Sequence, residues 1–146
     1  MKTIITPTDV YNLAFSVEEH CTPSAVREAD IVMAESRYLL PIVGESLYNA
    51  IIQSRYGDLR ADYVVPMLCA WVRYIVEPLL AERCGYGQSA KAVDAEVVGC
   101  LRLIAMSYTR RLSDYLNAHT EEISEYNPID NPLNHCSIDG NIVQIY

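Results

Sequence analysis

The sequence has few basic residues. Its 146 residues include 11 lysines and arginines against 19 aspartates and glutamates, which gives a formal net charge of −8 at pH 7. Proteins that neutralise phosphate groups carry the opposite balance, so tight binding of nucleic acid is not expected as the main activity. An acidic surface repels phosphate, so it could line a channel through which DNA passes without binding.

Cysteine lacks the spacing of a disulfide framework. No Cys-x-x-Cys occurs, and the number of cysteines is odd: Cys21, Cys69, Cys84, Cys100 and Cys136. Three of them stand in apolar helical stretches, which is typical of reduced thiols in an intracellular protein. The beginning, MKTIITPTDV, has only a very short apolar run, so it does not read as a signal peptide.

Motifs for catalysis, cofactors and metals are also missing. The chain contains no GxGxxG, Walker A loop, GxSxG or HExxH. The pairs His20-Cys21 and His135-Cys136 invite a zinc interpretation, but paired zinc ligands usually have two to four residues between them. HTEE at 119–122 reverses the order of a di-iron motif that must occur twice. A cysteine nucleophile needs a histidine base, and no local signature joins the two. We predict a non-enzymatic protein without cofactor, metal or small-molecule substrate.

Apolar spacing predicts an all-α fold, a compact bundle of about five helices. Thr6-Pro7-Thr8-Asp9 is an N-terminal cap and opens a first helix over 7–19. Thr22-Pro23 opens a second, and Ser89 opens a long fifth helix over 90–119. The fifth helix has an apolar stripe at spacings of three and four, formed by Val93, Val97, Leu101, Ile104, Tyr108, Leu112 and Tyr115.

The stretch Leu40-Pro41-Ile42-Val43-Gly44 joins two apolar helical patterns without a polar loop. Pro41 disfavours helical backbone at Leu40, so we expect the second helix to stop there. The third helix should begin at Gly44 and end at a left-handed Gly57. Nothing in this stretch is titratable, so we interpret it as a packed corner.

The fourth predicted helix contains the apolar stretch 62–81 and is closed by Gly85 and Gly87. It is apolar nearly all round and should lie at the centre of the domain. It carries Arg73 and Glu77, which are four residues apart and can pair. Two charges in the middle of the most apolar stretch make a membrane span costly, so we predict a buried helix and no membrane association. We expect Pro66 in the first turn of its main segment, and we expect Pro78 to kink the helix or to end it early.

The last twenty residues change in character. Asn127-Pro128 and Asn131-Pro132 break helices, so we predict a helical domain over 1–126 and an irregular arm over 127–146. The arm should end in a short strand that pairs with KTII near the N-terminus or with a neighbouring subunit. Its candidate contact residues are Ile142, Val143, Gln144, Ile145 and Tyr146.

Arg110 and Arg111 are the other candidate contacts with a partner. They lie in SYTRRLSDY, where they could bind phosphate or the acidic face of another protein. Arg110 and Asp114 are four residues apart, and a plain surface ion pair between them is the alternative that we favour.

The middle of the chain resembles small all-helical head–tail connector proteins of tailed phages and prophages. The similar parts are AESRYLLPIVGESLYNAII (34–52), an apolar helix with Trp71, and LLAERCGYG (79–87) before a long last helix. The resemblance covers roughly residues 22–118.

The resemblance implies a non-enzymatic structural subunit. Such proteins form rings that dock below the portal and extend the DNA channel toward the tail, so partners would be other copies and portal or tail proteins. The resemblance implies that the protein is located in the cytoplasm of a bacterial host or in the virion. The alternative that we keep open is a small helical regulatory or adaptor protein of a bacterial cell.

Overall fold

The computed structural model describes residues 2–16, 23–83, 95–139 and 142–145. These residues are mainly helical, as predicted. The helical segments are α1 (Pro7–Ala14), α2 (28–52), α3 (Gly57–Arg83) and α4 (Ala95–Ala118). Strands β1 (Cys136–Asp139) and β2 (Ile142–Ile145) form a hairpin, and 3₁₀ turns occur at Pro23–Ala25, Pro128–Asp130 and Pro132–Asn134.

The predicted start of α1 is confirmed. The Asp9 backbone N–H donates to the Thr6 hydroxyl at 3.2 Å, and the Thr6 backbone N–H donates to the Asp9 carboxylate at 2.8 Å. This reciprocal cap satisfies two backbone donors that the helix end leaves without partners. The helix ends at Ala14, earlier than the predicted Glu19, and residues 17–22 lie outside the described part of the chain.

The predicted second and third helices form one bent segment, α2, so the described residues contain four helical segments in place of five. It consists of Glu28–Ala34, a π turn at Glu35–Leu39, and Leu40–Ile52. The bend lies at Gly44, whose φ of 79° and ψ of 163° are not helical. A corner is therefore present, but the predicted stop at Leu40 is wrong.

A wide turn explains how the helix passes Pro41. The Leu40 N–H donates to the carbonyl of Glu35, five residues back. Proline lacks an N–H and its ring clashes with the carbonyl four residues earlier, so a regular α-helix would be strained at this point. The π turn changes the hydrogen-bond register just before the proline and lets the helix continue.

The hydrogen-bond register also changes near both prolines of α3. A π turn at Arg60–Val64 precedes Pro66, and a 3₁₀ turn at Glu77–Leu79 contains Pro78. Pro66 lies in the first turn of Val65–Val76, the longest α-helical part of α3, as predicted. The helix begins at Gly57, which is helical. The left-handed residues before it are Ser54 (φ 66°) and Tyr56 (φ 56°), so the prediction of a left-handed Gly57 is wrong.

Helix α3 lies at the centre of the core. Trp71 stacks on Tyr38 with ring centroids 3.7 Å apart, and its indole N–H donates to the Thr109 hydroxyl at 2.7 Å. The predicted pair of Arg73 and Glu77 is confirmed, with a nitrogen–oxygen distance of 2.8 Å. By length and composition α3 could cross a bilayer, but 50% of its most apolar window is buried within the fold, as in a core helix.

The apolar stripe predicted for α4 is partly wrong. Leu112 is buried, but Val97 and Ile104 are 41% and 50% exposed, and Val93 is outside the described residues. The side of α4 that packs against α3 is lined by Ala105, Thr109, Leu112, Ser113 and Leu116. Apolar residues occur on more than one face of this helix, so periodicity alone selects the wrong one.

The first half of the arm packs on the helices. The Asn131 amide is fully buried and donates to the Ser113 hydroxyl and to the Tyr126 hydroxyl, both at 2.9 Å. Strands β1 and β2 pair antiparallel, with Cys136 opposite Ile145 and Asp139 opposite Ile142. The partner of β2 is thus β1 and not KTII. Two residues separate the strands in sequence, and so short a connection costs little loop entropy.

Candidate interaction surfaces

The N-terminal half of α4 extends beyond the core. Residues 95–104 are exposed or half-buried along this whole stretch. Apolar side chains are among them: Leu103 is 67% exposed, Ile104 50% and Val97 41%. Leu103 lines one groove of the molecule and Ile104 lines another, and exposed apolar side chains of this size are candidates for contact with another protein.

A groove with three arginines runs along one face of α4. It has a volume of about 770 Å³, and its lining includes Arg102, Arg110, Arg111 and Asp114. Arg102, Arg110 and Asp114 lie on one row of the helix because they are separated by multiples of four residues. We call this surface the arginine groove.

The favoured ion pair between Arg110 and Asp114 is not formed. Among the described residues, the ion pairs with nitrogen–oxygen distances within 4.0 Å join Arg55 to Glu125, Arg73 to Glu77 and Arg83 to Asp30. The guanidinium groups of the arginine groove are thus left for another carboxylate or phosphate, which guanidinium binds through paired hydrogen bonds.

Stacked aromatic rings support one side of the arginine groove. The Arg111 guanidinium lies 5.2 Å from the ring centroid of Tyr63, and Tyr63 stacks on Tyr115 at 4.2 Å. Tyr115 stacks in turn on His119 at 4.1 Å. Burial, followed by the nearby charge of Glu122, raises the pKa of Tyr115, so its hydroxyl stays neutral. The stack fixes the tyrosines that border the arginines.

A second groove, between α1, α3 and α4, is apolar. Its volume is about 400 Å³, and we call it the apolar groove. The side chains that line it are Leu13, Ala14, Pro66, Cys69, Ala70, Arg73, Leu101, Ile104 and Tyr108. Burial raises the pKa of the Cys69 thiol to about 12. A thiol that stays protonated is not a nucleophile, so this cysteine packs as a small apolar group.

Two buried carboxylates have structural partners. The Glu35 carboxylate is 2% exposed and accepts the Ile4 backbone N–H at 2.7 Å, which ties the N-terminal segment to α2. Burial raises the pKa of Glu35, against the opposing effect of its hydrogen bonds. The Asp30 carboxylate is bound by Arg83 with a nitrogen–oxygen distance of 2.5 Å, which joins the start of α2 to the end of α3.

Of the two histidine–cysteine pairs, the structure describes the side chain of His135. Among the described residues, no group of three or more His, Cys, Asp or Glu side chains is placed to hold a metal ion. His135 is 2.6 Å from the carbonyl oxygen of Ile129, and His119 is 2.8 Å from that of Tyr115. His20-Cys21 lies outside the described residues.

The predicted contact residues belong to two different secondary-structure elements. Arg110 and Arg111 lie in the arginine groove, whereas Ile142, Val143, Gln144 and Ile145 form the second strand of the hairpin. Tyr146 is outside the described residues. Arg102 was not predicted from the sequence, although its spacing of eight residues from Arg110 places both on one row of a helix. The sequence analysis also missed Ile129, which is 74% exposed.

Comparisons with known proteins find no match. No family model matches the chain, and no curated protein or solved structure is significantly similar to it. The resemblance to head–tail connectors therefore remains a prediction from the residues quoted above.

Proposed function

We propose that this chain is a structural, non-catalytic subunit of a phage or prophage head–tail connector. It assembles into a ring under the portal and extends the DNA channel. Its partners are other copies of itself and the portal or tail proteins, and its place is the cytoplasm of a bacterial host or the virion.

The observation that carries the proposal is the exposed end of α4. Three apolar side chains there are exposed to solvent: Leu103 at 67%, Ile104 at 50% and Val97 at 41%. Burying apolar surface against another protein gains about 25 cal/mol per Å² before the costs of association. A subunit contact at this end of α4 is therefore favourable.

The charge of the chain fits the same role. A net charge of −8 repels DNA, so a channel lined by such subunits would let DNA slide without binding it. The three guanidinium groups of the arginine groove form a local positive surface on this acidic protein. They would bind an acidic segment of a neighbouring protein more readily than DNA, because the rest of the surface repels a long polyanion.

The experiment is native mass spectrometry combined with negative-stain electron microscopy of the purified protein. We expect a ring-sized mass and ring-shaped particles. Leu103→Asp should reduce assembly, since it places a charge in the proposed contact. Met33→Asp is the matched control, because Met33 is an exposed apolar residue on α2, at 43%. Equal assembly of both variants would argue against a contact through α4.

The arginine groove favours the alternative function, a small helical regulatory or adaptor protein of a bacterial cell. Such a protein would be a monomer or dimer that binds an acidic segment of a partner. Fluorescence anisotropy with a labelled poly-glutamate peptide tests this function. Saturable binding that Arg110→Glu abolishes, by a protein that forms no larger assembly, would favour the adaptor over the connector.

A further inference from the structure

We infer that Ile129 of one copy docks into the apolar groove of the next copy. This inference rests on the proposed function and specifies the contact by which copies associate. The partner is a second molecule of this chain, and the contact joins two different surfaces of it.

Ile129 is an exposed apolar side chain on a turn that several hydrogen bonds hold. It is 74% exposed, yet its backbone N–H donates to the Asn127 side chain at 3.1 Å. The Asn134 amide donates to the Pro128 carbonyl at 2.8 Å, and the buried Asn131 fixes the turn to α4. A turn whose backbone is held in this way loses little backbone entropy when its side chain binds.

The apolar groove has the chemistry to receive such a side chain. Leu13 and Ile104 stand at its rim, with exposed fractions of 62% and 50%. The Cys69 thiol in its lining is buried and neutral, so it does not oppose an aliphatic occupant. The volume of about 400 Å³ is ample for an isoleucine side chain.

The arm and the apolar groove meet α4 on different sides of this helix. Leu101, Ile104 and Tyr108 face the apolar groove. Arg102, Met106 and Thr109 line a different cavity together with Pro132 and Leu133 of the arm. These two sets of α4 residues are about 130° apart around the helix, at 100° per residue.

This separation determines the symmetry of the contact. A turn on one side and a groove on another side give a head-to-tail contact between copies. Such contacts generate rings when the rotation closes, whereas a contact between identical patches stops at a dimer. The contact that we infer is therefore of the type that a ring requires.

Charges beside the two surfaces are complementary. Asp130 follows Ile129 and is exposed, and Arg111 lies one helical turn after Tyr108 of the apolar groove and is also exposed. Among the described residues Arg111 forms no ion pair, and its recorded contact is with the Tyr63 ring. A carboxylate arriving with Ile129 would find this guanidinium near the groove.

The experiment mixes two variants that are defective in different halves of the contact. Ile129→Asp removes the inserted side chain and keeps the groove. Ile104→Asp alters the groove and keeps the inserted side chain. Light scattering should show that each variant alone associates about tenfold or more weakly than the wild-type protein, because a charge replaces a buried aliphatic group.

A one-to-one mixture should form a heterodimer and nothing larger, since one productive contact remains. Native mass spectrometry detects it when one variant is labelled with ¹⁵N. Met33→Asp, which adds the same charge elsewhere, should assemble like the wild-type protein. Circular dichroism checks that every variant keeps its helical content.

The outcomes separate this contact from the proposed function. If Ile129→Asp assembles like the wild-type protein while Leu103→Asp does not, self-assembly stands and this contact is refuted. A mixture that forms no heterodimer also refutes it. If the wild-type protein is monomeric at every concentration, both the contact and the proposed self-assembly are contradicted.

Discussion

The bend in α2 depends on one backbone conformation, and replacing Gly44 by alanine tests it. Gly44 has φ 79° and ψ 163°, a region that only glycine adopts readily. A Cβ atom built at this position would meet no atom within 4 Å, so crowding adds nothing to the cost. The expected loss of stability is the backbone strain alone, about 1–3 kcal/mol.

Gly57 provides the matched control. It lies in the first turn of α3 with helical backbone, and a Cβ there would also meet no atom within 4 Å. Alanine restricts the unfolded chain more than glycine does, so Gly57→Ala should stabilise the protein by about 0.4–1 kcal/mol. Replacement of glycine by alanine is thus expected to lower the stability at Gly44 and to raise it at Gly57.

Chemical unfolding followed by circular dichroism measures both changes. The midpoint should fall for Gly44→Ala and rise for Gly57→Ala, with little change in the denaturant dependence. If Gly44→Ala is as stable as the wild-type protein, the bend does not require a positive φ. If Gly57→Ala loses stability as Gly44→Ala does, the loss is not specific to a glycine with positive φ.

Substitutions at three further sites test the buried polar contacts. Burial raises the pKa of Glu35 above 4.5, so ionisation of this carboxyl group costs folding stability. The wild-type protein should therefore lose stability relative to Glu35→Gln as the pH rises from 4 to 7. A difference in stability that does not depend on pH would contradict this. Asn131→Ala should lower the free energy of unfolding by about 1–3 kcal/mol, measured in urea, because it leaves buried partners unsatisfied. Arg83→Met leaves the Asp30 carboxylate unpaired and should cost about 3–5 kcal/mol. The double variant with Asp30→Asn should recover part of that loss, and no recovery would mean that the pair is not the cause.

Local signals in the sequence predicted some elements well. The cap at Thr6 and Asp9 and the pair of Arg73 and Glu77 depend on residues three or four positions apart, and both are present. The corner near Gly44 was also visible, because an apolar stretch with proline and glycine has few other structures. The predicted helix end at Leu40 was wrong, because the sequence does not show that a π turn lets the helix pass Pro41.

Features that depend on packing could not be predicted. The face of α4 that meets α3 is set by Trp71 and Thr109, which are 38 positions apart in sequence. The exposure of Leu103 and Ile129 likewise depends on where the core ends. Of the arginine groove, Arg110 and Arg111 were identified as adjacent charges, whereas Arg102 joins them only through the geometry of the helix.

The central claim is that this chain associates with copies of itself. The most direct test is the molar mass of the wild-type protein by light scattering, across concentration and at low and moderate salt. The account predicts a mass that rises with concentration toward a ring-sized assembly, weakened at most modestly by salt because the contact is mainly apolar. A constant mass equal to that of the single chain, 16.4 kDa, under all these conditions would contradict it.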